Sequence, residues 1–119
     1  IEHWSIKEVG PISAMNNMSD WLILDARRED AYMKGHIDGA MLFGEYNWDE
    51  QLGIFLQLWK PEKPILIYCD GQQCDASKRM ALRLLKDLPD IKVFVLEGGY
   101  PAWVSSQLES ISGENNGIL

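Results

Sequence analysis

Three short apolar runs punctuate the chain: Trp21-Leu22-Ile23-Leu24, Ile65-Leu66-Ile67-Tyr68 and Val93-Phe94-Val95-Leu96. Each is continuous rather than alternating, which predicts a strand buried on both faces. Ala40-Met41-Leu42-Phe43 predicts a further short strand. Between these runs the period changes. Glu29 to Lys34 is polar with one apolar side and stops at Gly35, the pattern of a short helix with a glycine past its end. Trp48, Leu52, Phe55, Leu56 and Trp59 follow a 4-3-1-3 spacing on one helical stripe, which Pro61 and Pro64 close. From Asp75 to Leu88, residues Ala76, Met80, Ala81, Leu84, Leu85 and Leu88 share one face of an amphipathic helix. A last helix is predicted from Pro101 to about Gln107, with proline in its first turn. Strands alternating with helices predict a single α/β domain, its mainly parallel sheet flanked by helices on both faces. The domain is expected to span residues 1–109, and the polar segment 110–119 to form a flexible tail.

A chain of 119 residues has the length of one domain. With 46% hydrophobic and 24% charged residues it has an ordinary globular composition, which excludes disorder as its overall state. Eleven Lys and Arg stand against eighteen Asp and Glu, a net charge of -7. That balance argues against a nucleic-acid partner and against an anionic membrane surface. No apolar run approaches the roughly 20 residues that span a bilayer. The chain starts at Ile1 and carries no signal-peptide pattern. A start at Ile1 leaves open a processed chain, one excised from a longer protein and one shown incompletely. The expected location is the cytoplasm, with an exported or periplasmic domain as the alternative.

The two cysteines, Cys69 and Cys74, cannot form a disulfide scaffold. Their position is more informative. Cys69 ends a predicted buried strand, and binding sites in open α/β sheets lie at the carboxyl ends of strands. The loop Asp70-Gly71-Gln72-Gln73-Cys74-Asp75 then returns the chain to a helix N-terminus. The free N–H groups and positive dipole end there favour an anion, so a thiolate or a persulfide would be stabilised. Gly71 lets the backbone turn inward, and Asp75 or Cys74 falls at the N-cap, with Asp the better capping side chain. A buried core cysteine that merely finishes the strand is the alternative for Cys69.

Around this loop the sequence resembles the rhodanese-like (sulfurtransferase) domain. Leu24-Asp25-Ala26-Arg27, Gly35-His36-Ile37 and Gly39-Ala40 resemble the family's Asp-x-Arg and Gly-His-Ile-x-Gly-Ala signature. Ile67-Tyr68-Cys69 resembles its strand into the active-site cysteine, and Leu96-Glu97-Gly98-Gly99-Tyr100-Pro101-Ala102-Trp103 its Gly-Gly and Ala-Trp signature. The likeness covers roughly residues 5–107, in the family's order. It implies a parallel sheet flanked by helices and a catalytic Cys69 that cycles through a persulfide. Sulfur would pass from a small-molecule or protein donor, such as thiosulfate or another persulfide, to a thiol acceptor, with no cofactor. By the same resemblance Asp25 and Arg27 are mainly structural and shape the site.

The loop departs from the family's Cys-x-x-Gly-x-Arg-Ser pattern. It has no arginine, its glycine comes one place early, and Asp70 and Asp75 flank it. A dianionic donor such as thiosulfate would meet less favourable charge there. Lys78, Arg79 and Arg83 follow on the helix, and Lys78 is near enough in sequence to compensate.

Other chemistries are weaker. Phosphatases and arsenate reductases with a related loop need an arginine six places after the cysteine. Here Asp75 follows Cys69 at that distance and Met80 follows Cys74. Cys69, Cys74, His36 and His3 lack zinc-site spacing, so no metal is expected, and His36 is expected to make a structural hydrogen bond. Trp48 and Trp59 read as core packing. Two further functions remain open. Cys74 could act as a resolving thiol toward Cys69, making a thiol–disulfide redox switch. A non-catalytic interaction module of the same fold is the other, although such modules have usually lost the cysteine.

Overall fold

The computed structural model describes residues 6–71 and 74–118, the side chains of 109–118 excepted. Five strands, β1 (Lys7–Val9), β2 (Leu22–Asp25), β3 (Met41–Leu42), β4 (Ile65–Tyr68) and β5 (Val93–Leu96), form one sheet in the order β1-β5-β4-β2-β3. Every pairing is parallel. The helices are α1 (Pro11–Met15), α2 (Glu29–Lys34), α3 (Trp48–Leu58), α4 (Ala76–Asp87) and α5 (Gly99–Ile118).

β4 lies at the centre, and all four of its residues are buried. Its side chains alternate between two cores. Ile65 and Ile67 join Leu24, Val93 and Val95 in packing against Phe55 of α3 and Met80, Ala81 and Leu84 of α4. Leu66 and Tyr68 join Ile23 and Leu96 in packing against Ala14 of α1 and Trp103 of α5. Both faces are therefore covered, which is why the central strands read as unbroken apolar runs.

Two short elements escaped the pattern. β1 is a polar edge strand paired only with β5, and it leaves Lys7 and Glu8 exposed. An edge strand has no second neighbour to demand apolar residues. α1 is five residues long and starts on Pro11. The stripe of α3 is also narrower than its spacing suggests: Trp48 and Phe55 are buried, while Leu56 is exposed. The predicted stop near Gln107 is corrected, because α5 continues to Ile118, through the segment expected to be a flexible tail. No proline follows Pro101, and a glycine such as Gly113 disfavours a helix by only about 1 kcal/mol without ending it. No helix of the described residues is long and apolar enough to cross a membrane.

Candidate active site

Cys69 follows the last residue of β4 and is 2% exposed. Continuing the alternation of β4, it belongs to the core beneath α4, together with Ile65 and Ile67. The chain then turns through Asp70 and Gly71. The Cys74 N–H donates to the Gly71 carbonyl at 3.1 Å, and α4 begins two residues later with Asp75 at its N-cap. The Asp75 carboxylate makes no capping hydrogen bond, contrary to its expected role. Gln72 and Gln73 lie outside the described residues. Cys69 and Cys74 are joined by a disulfide, with their Cα atoms 6.4 Å apart.

A second helix start meets the loop. The Tyr100 N–H, in the first turn of α5, donates to the Cys69 carbonyl at 2.8 Å. This close approach explains the second glycine of the pair, whereas Gly98, at φ +78°, faces Ala102 instead. Gly99 has φ +66°, and a Cβ there would lie 2.5 Å from the Cys69 carbonyl oxygen and 2.7 Å from the Gly71 nitrogen. Only glycine fits a left-handed position pressed against backbone. The cysteine loop and Gly99 are thus two sides of one packing contact.

Between them is a pocket of about 240 Å³, with Cys69, Gly71, Cys74 and Ser77 on one side and Glu97, Gly98 and Gly99 on another. Val95 and Leu96 of β5, Glu8 and Lys78 complete the lining, and Lys78 Nζ lies 3.6 Å from Glu8 Oε1. Of Lys78, Arg79 and Arg83, only Lys78 lines this pocket. Arg79 pairs with Glu45 at 2.9 Å, and the Arg83 guanidinium stacks on Trp48. Among the described residues, the charged side chains that line this pocket are therefore two carboxylates and one ammonium. Glu8, Glu97 and Ser77 escaped the sequence reading. Glu97 had a signal, since it stands between β5 and the glycine pair, whereas Glu8 had none in its own neighbourhood.

Asp25 and Arg27 lie on the opposite face of the sheet. Asp25 sits beside Tyr68 in the β2–β4 register and is fully buried. Its carboxylate accepts from Arg27 Nη2 at 2.8 Å, from Arg27 Nε at 3.0 Å, from the Arg27 backbone N–H at 2.9 Å and from the Tyr68 hydroxyl at 2.6 Å. Tyr68 in turn accepts the Ile37 N–H at 3.1 Å. Burial, and then the hydrogen bond to the Asp25 carboxylate, push the Tyr68 phenol well above its ordinary range, so it remains a donor. Arg27 Nη2 also donates to the Gly35 carbonyl at 2.6 Å, and its guanidinium covers the Tyr100 ring at 4.3 Å. Its other terminal nitrogen lies 3.8 Å from the exposed Asp70 carboxylate. This network ties β2, β4, the Gly35 turn and α5 together beneath the loop. Arg27 is not among the residues lining the pocket, so it does not stand in for the missing loop arginine.

His36 Nδ1 lies 2.8 Å from the Tyr32 carbonyl oxygen and donates to it, while its ring stacks on Tyr32. Among the described residues no cluster of His, Cys, Asp and Glu could hold a metal ion.

A model of the rhodanese-like domain matches residues 10–106. The fold recurs in the BH2092 protein from Bacillus halodurans, at 22% identity and a TM-score of 0.72, over 85% of this chain and 73% of that one. It recurs in a rhodanese-like domain protein from Staphylococcus aureus, at 21% identity and a TM-score of 0.63, over 82% and 91% of the two chains. It also recurs in thiosulfate sulfurtransferase from Pseudomonas aeruginosa, at 22% identity and a TM-score of 0.64, over 87% of this chain but only 19% of that one. At these identities the solved structures establish the shared fold. With the family match running over residues 10–106 and the same architecture beneath it, the chain belongs to the rhodanese-like domain family.

Proposed function

We propose that the domain is a sulfurtransferase that carries sulfane sulfur as a persulfide on Cys69. The observation that carries this reading is the placement of Cys69: it ends the central strand, at a pocket walled by the glycine pair and beside the first turns of two helices. The N–H groups and positive dipole ends of helix starts stabilise an added anionic sulfur. The loop N–H groups from Asp70 to Gln73 are the candidates to cradle that sulfur, since the Cys74 N–H already donates to the Gly71 carbonyl. The retained cysteine favours an enzyme over an interaction module. In the cycle, the disulfide is first opened by a reductant. The Cys69 thiolate then attacks the outer sulfur of the donor and displaces its leaving group, and an acceptor thiolate removes the sulfur. Small-molecule or protein persulfides and thiosulfate are the donor classes.

The test is intact-protein mass after reduction, desalting and exposure to thiosulfate or glutathione persulfide. Sulfur is expected to leave the donor only where Cys69 is present, read either as added protein mass or as released hydrosulfide, and Cys69→Ser shows neither. Absence of any Cys69-dependent sulfur transfer from either donor sinks the proposal and leaves the interaction module.

The pocket's charge makes a second prediction. Glu8→Gln and Glu97→Gln each remove a negative charge from the approach of a dianion. Each is expected to raise kcat/KM for thiosulfate roughly 1.5–5-fold, the equivalent of about 0.2–1 kcal/mol for a rim charge. Lys78→Gln should lower it by a similar factor. Steady-state kinetics at low ionic strength checks the sign, and high salt should erase the difference.

The disulfide favours one further reading, a redox switch in which mild oxidation closes Cys69–Cys74 and so blocks the nucleophile. Oxidative loss of two hydrogens, reversed by reductant and abolished in Cys74→Ser, is its expected mark.

A further inference from the structure

We propose that Cys74 is an internal acceptor for the sulfur carried by Cys69: it expels that sulfur as hydrosulfide and closes the disulfide, giving the domain a dithiol-dependent persulfide reductase activity. The inference rests on the sulfurtransferase reading of Cys69, and goes beyond it by naming the fate of the sulfur.

Three observations carry it. The two sulfurs are bonded, so the fold brings them within attacking distance. The Cα separation of 6.4 Å lies inside the range of about 4.4–6.8 Å that disulfides span, so the loop closes without a gross backbone movement. Both cysteines line the same pocket, in which Cys69 is buried and Cys74 is half-buried. An external thiol must enter that pocket to reach the sulfur on Cys69. Cys74 is already there, and a group held in place competes at an effective concentration far above that of any solute. It also stands just before the N-cap of the twelve-residue α4, where thiolate character is favoured.

The step balances. The Cys69 persulfide, written Cys69–S–S⁻, meets the Cys74 thiol. The Cys74 sulfur forms a bond to Cys69 Sγ, and the bond from Cys69 Sγ to the outer sulfur breaks. The outer sulfur leaves with that bond's electron pair and takes the Cys74 proton, departing as HS⁻. The sulfane sulfur is reduced by two electrons, and the cysteine pair supplies them by becoming a disulfide. A reductant of the dithiol class restores both thiols by exchange.

The experiment is a single turnover with the full chain. Native protein, Cys74→Ser, Cys74→Ala and Cys69→Ser are reduced, desalted and mixed with thiosulfate or, separately, with glutathione persulfide. Intact mass and hydrosulfide are followed together. The native protein is expected to end two hydrogens lighter, with hydrosulfide released in equal amount. Both Cys74 variants should stop one sulfur heavier, with hydrosulfide reduced by roughly tenfold or more. The proposal is overturned if the native protein also accumulates the extra sulfur and forms no disulfide. That result leaves the sulfurtransferase reading intact. If no protein gains sulfur and none releases hydrosulfide above the Cys69→Ser background, the sulfurtransferase reading fails and this inference fails with it.

Discussion

Gly99→Val is expected to dismantle the cysteine loop and to cost the reduced protein about 2–5 kcal/mol. The figure combines two effects. The first is a left-handed backbone at φ +66°, which disfavours an L side chain by about 1–2 kcal/mol and a β-branched one most of all. The second is overpacking, about 1–3 kcal/mol. Here the overpacking has no easy relief. The atoms a Cβ would meet, the Cys69 carbonyl oxygen and the Gly71 nitrogen, are backbone and cannot rotate away. Relief requires α5 to withdraw from the loop, which breaks the hydrogen bond from the Tyr100 N–H to the Cys69 carbonyl. The expected readouts are a lower urea midpoint in reducing buffer and loss of sulfur uptake at Cys69. Gly53→Ala in α3 is the control. A Cβ there meets nothing within 4 Å, and the site is helical and exposed. That variant should gain about 0.4–1 kcal/mol. Equal, small effects of the two substitutions would show that the loop does not depend on the Gly99 contact.

Asp25→Ala should destabilise the domain by about 3–5 kcal/mol, the usual cost of leaving a buried partner uncompensated. The substitution removes the acceptor of three Arg27 N–H groups and of the Tyr68 hydroxyl at once. Arg27 is 7% exposed, so its charge cannot turn to water without disrupting the Gly35 turn and the Tyr100 stack. Total stabilities of domains are about 5–15 kcal/mol, so much of the fold's margin is at stake. Asp25→Asn retains the shape and part of the acceptor capacity, and is expected to lose less. Chemical denaturation of the three proteins in reducing buffer checks the order. Asp25→Ala within about 1 kcal/mol of the native protein, well below the buried-pair range, would mean that the network is not holding the sheet to α5.

Much of this architecture is legible along the chain. β2, β4 and β5 stand out as apolar runs because helices cover both faces of their sheet. α4 stands out because one of its sides faces water. β1 does not, since an exposed edge strand of three residues carries too little apolar surface to mark it. The length of α5 was missed for a related reason: a polar helix has no periodic stripe to announce it. At the site, Cys69 is marked by its position at the end of β4. Ser77 and Glu97 lie close to recognisable motifs yet reach the pocket only through the turn of α4 and the end of β5. Glu8 comes from the far edge strand, brought in because β1 pairs with β5 in the register Glu8↔Val95.

By itself the sequence determined what depends on neighbours in the chain. The periods of burial define an α/β domain, and a cysteine after a buried strand and before a helix defines the candidate nucleophile. The missing loop arginine is legible for the same reason. Only the tertiary structure decided what depends on residues far apart in sequence or on the geometry of a turn. It set two carboxylates and one lysine around the pocket, and turned Asp25 and Arg27 to the other face of the sheet. It also brought the sulfur of Cys74 onto that of Cys69. The physical reason is that burial periodicity is written locally, residue by residue. The partners of a pocket are set by strand register, crossovers and the path of one loop, which no local pattern specifies.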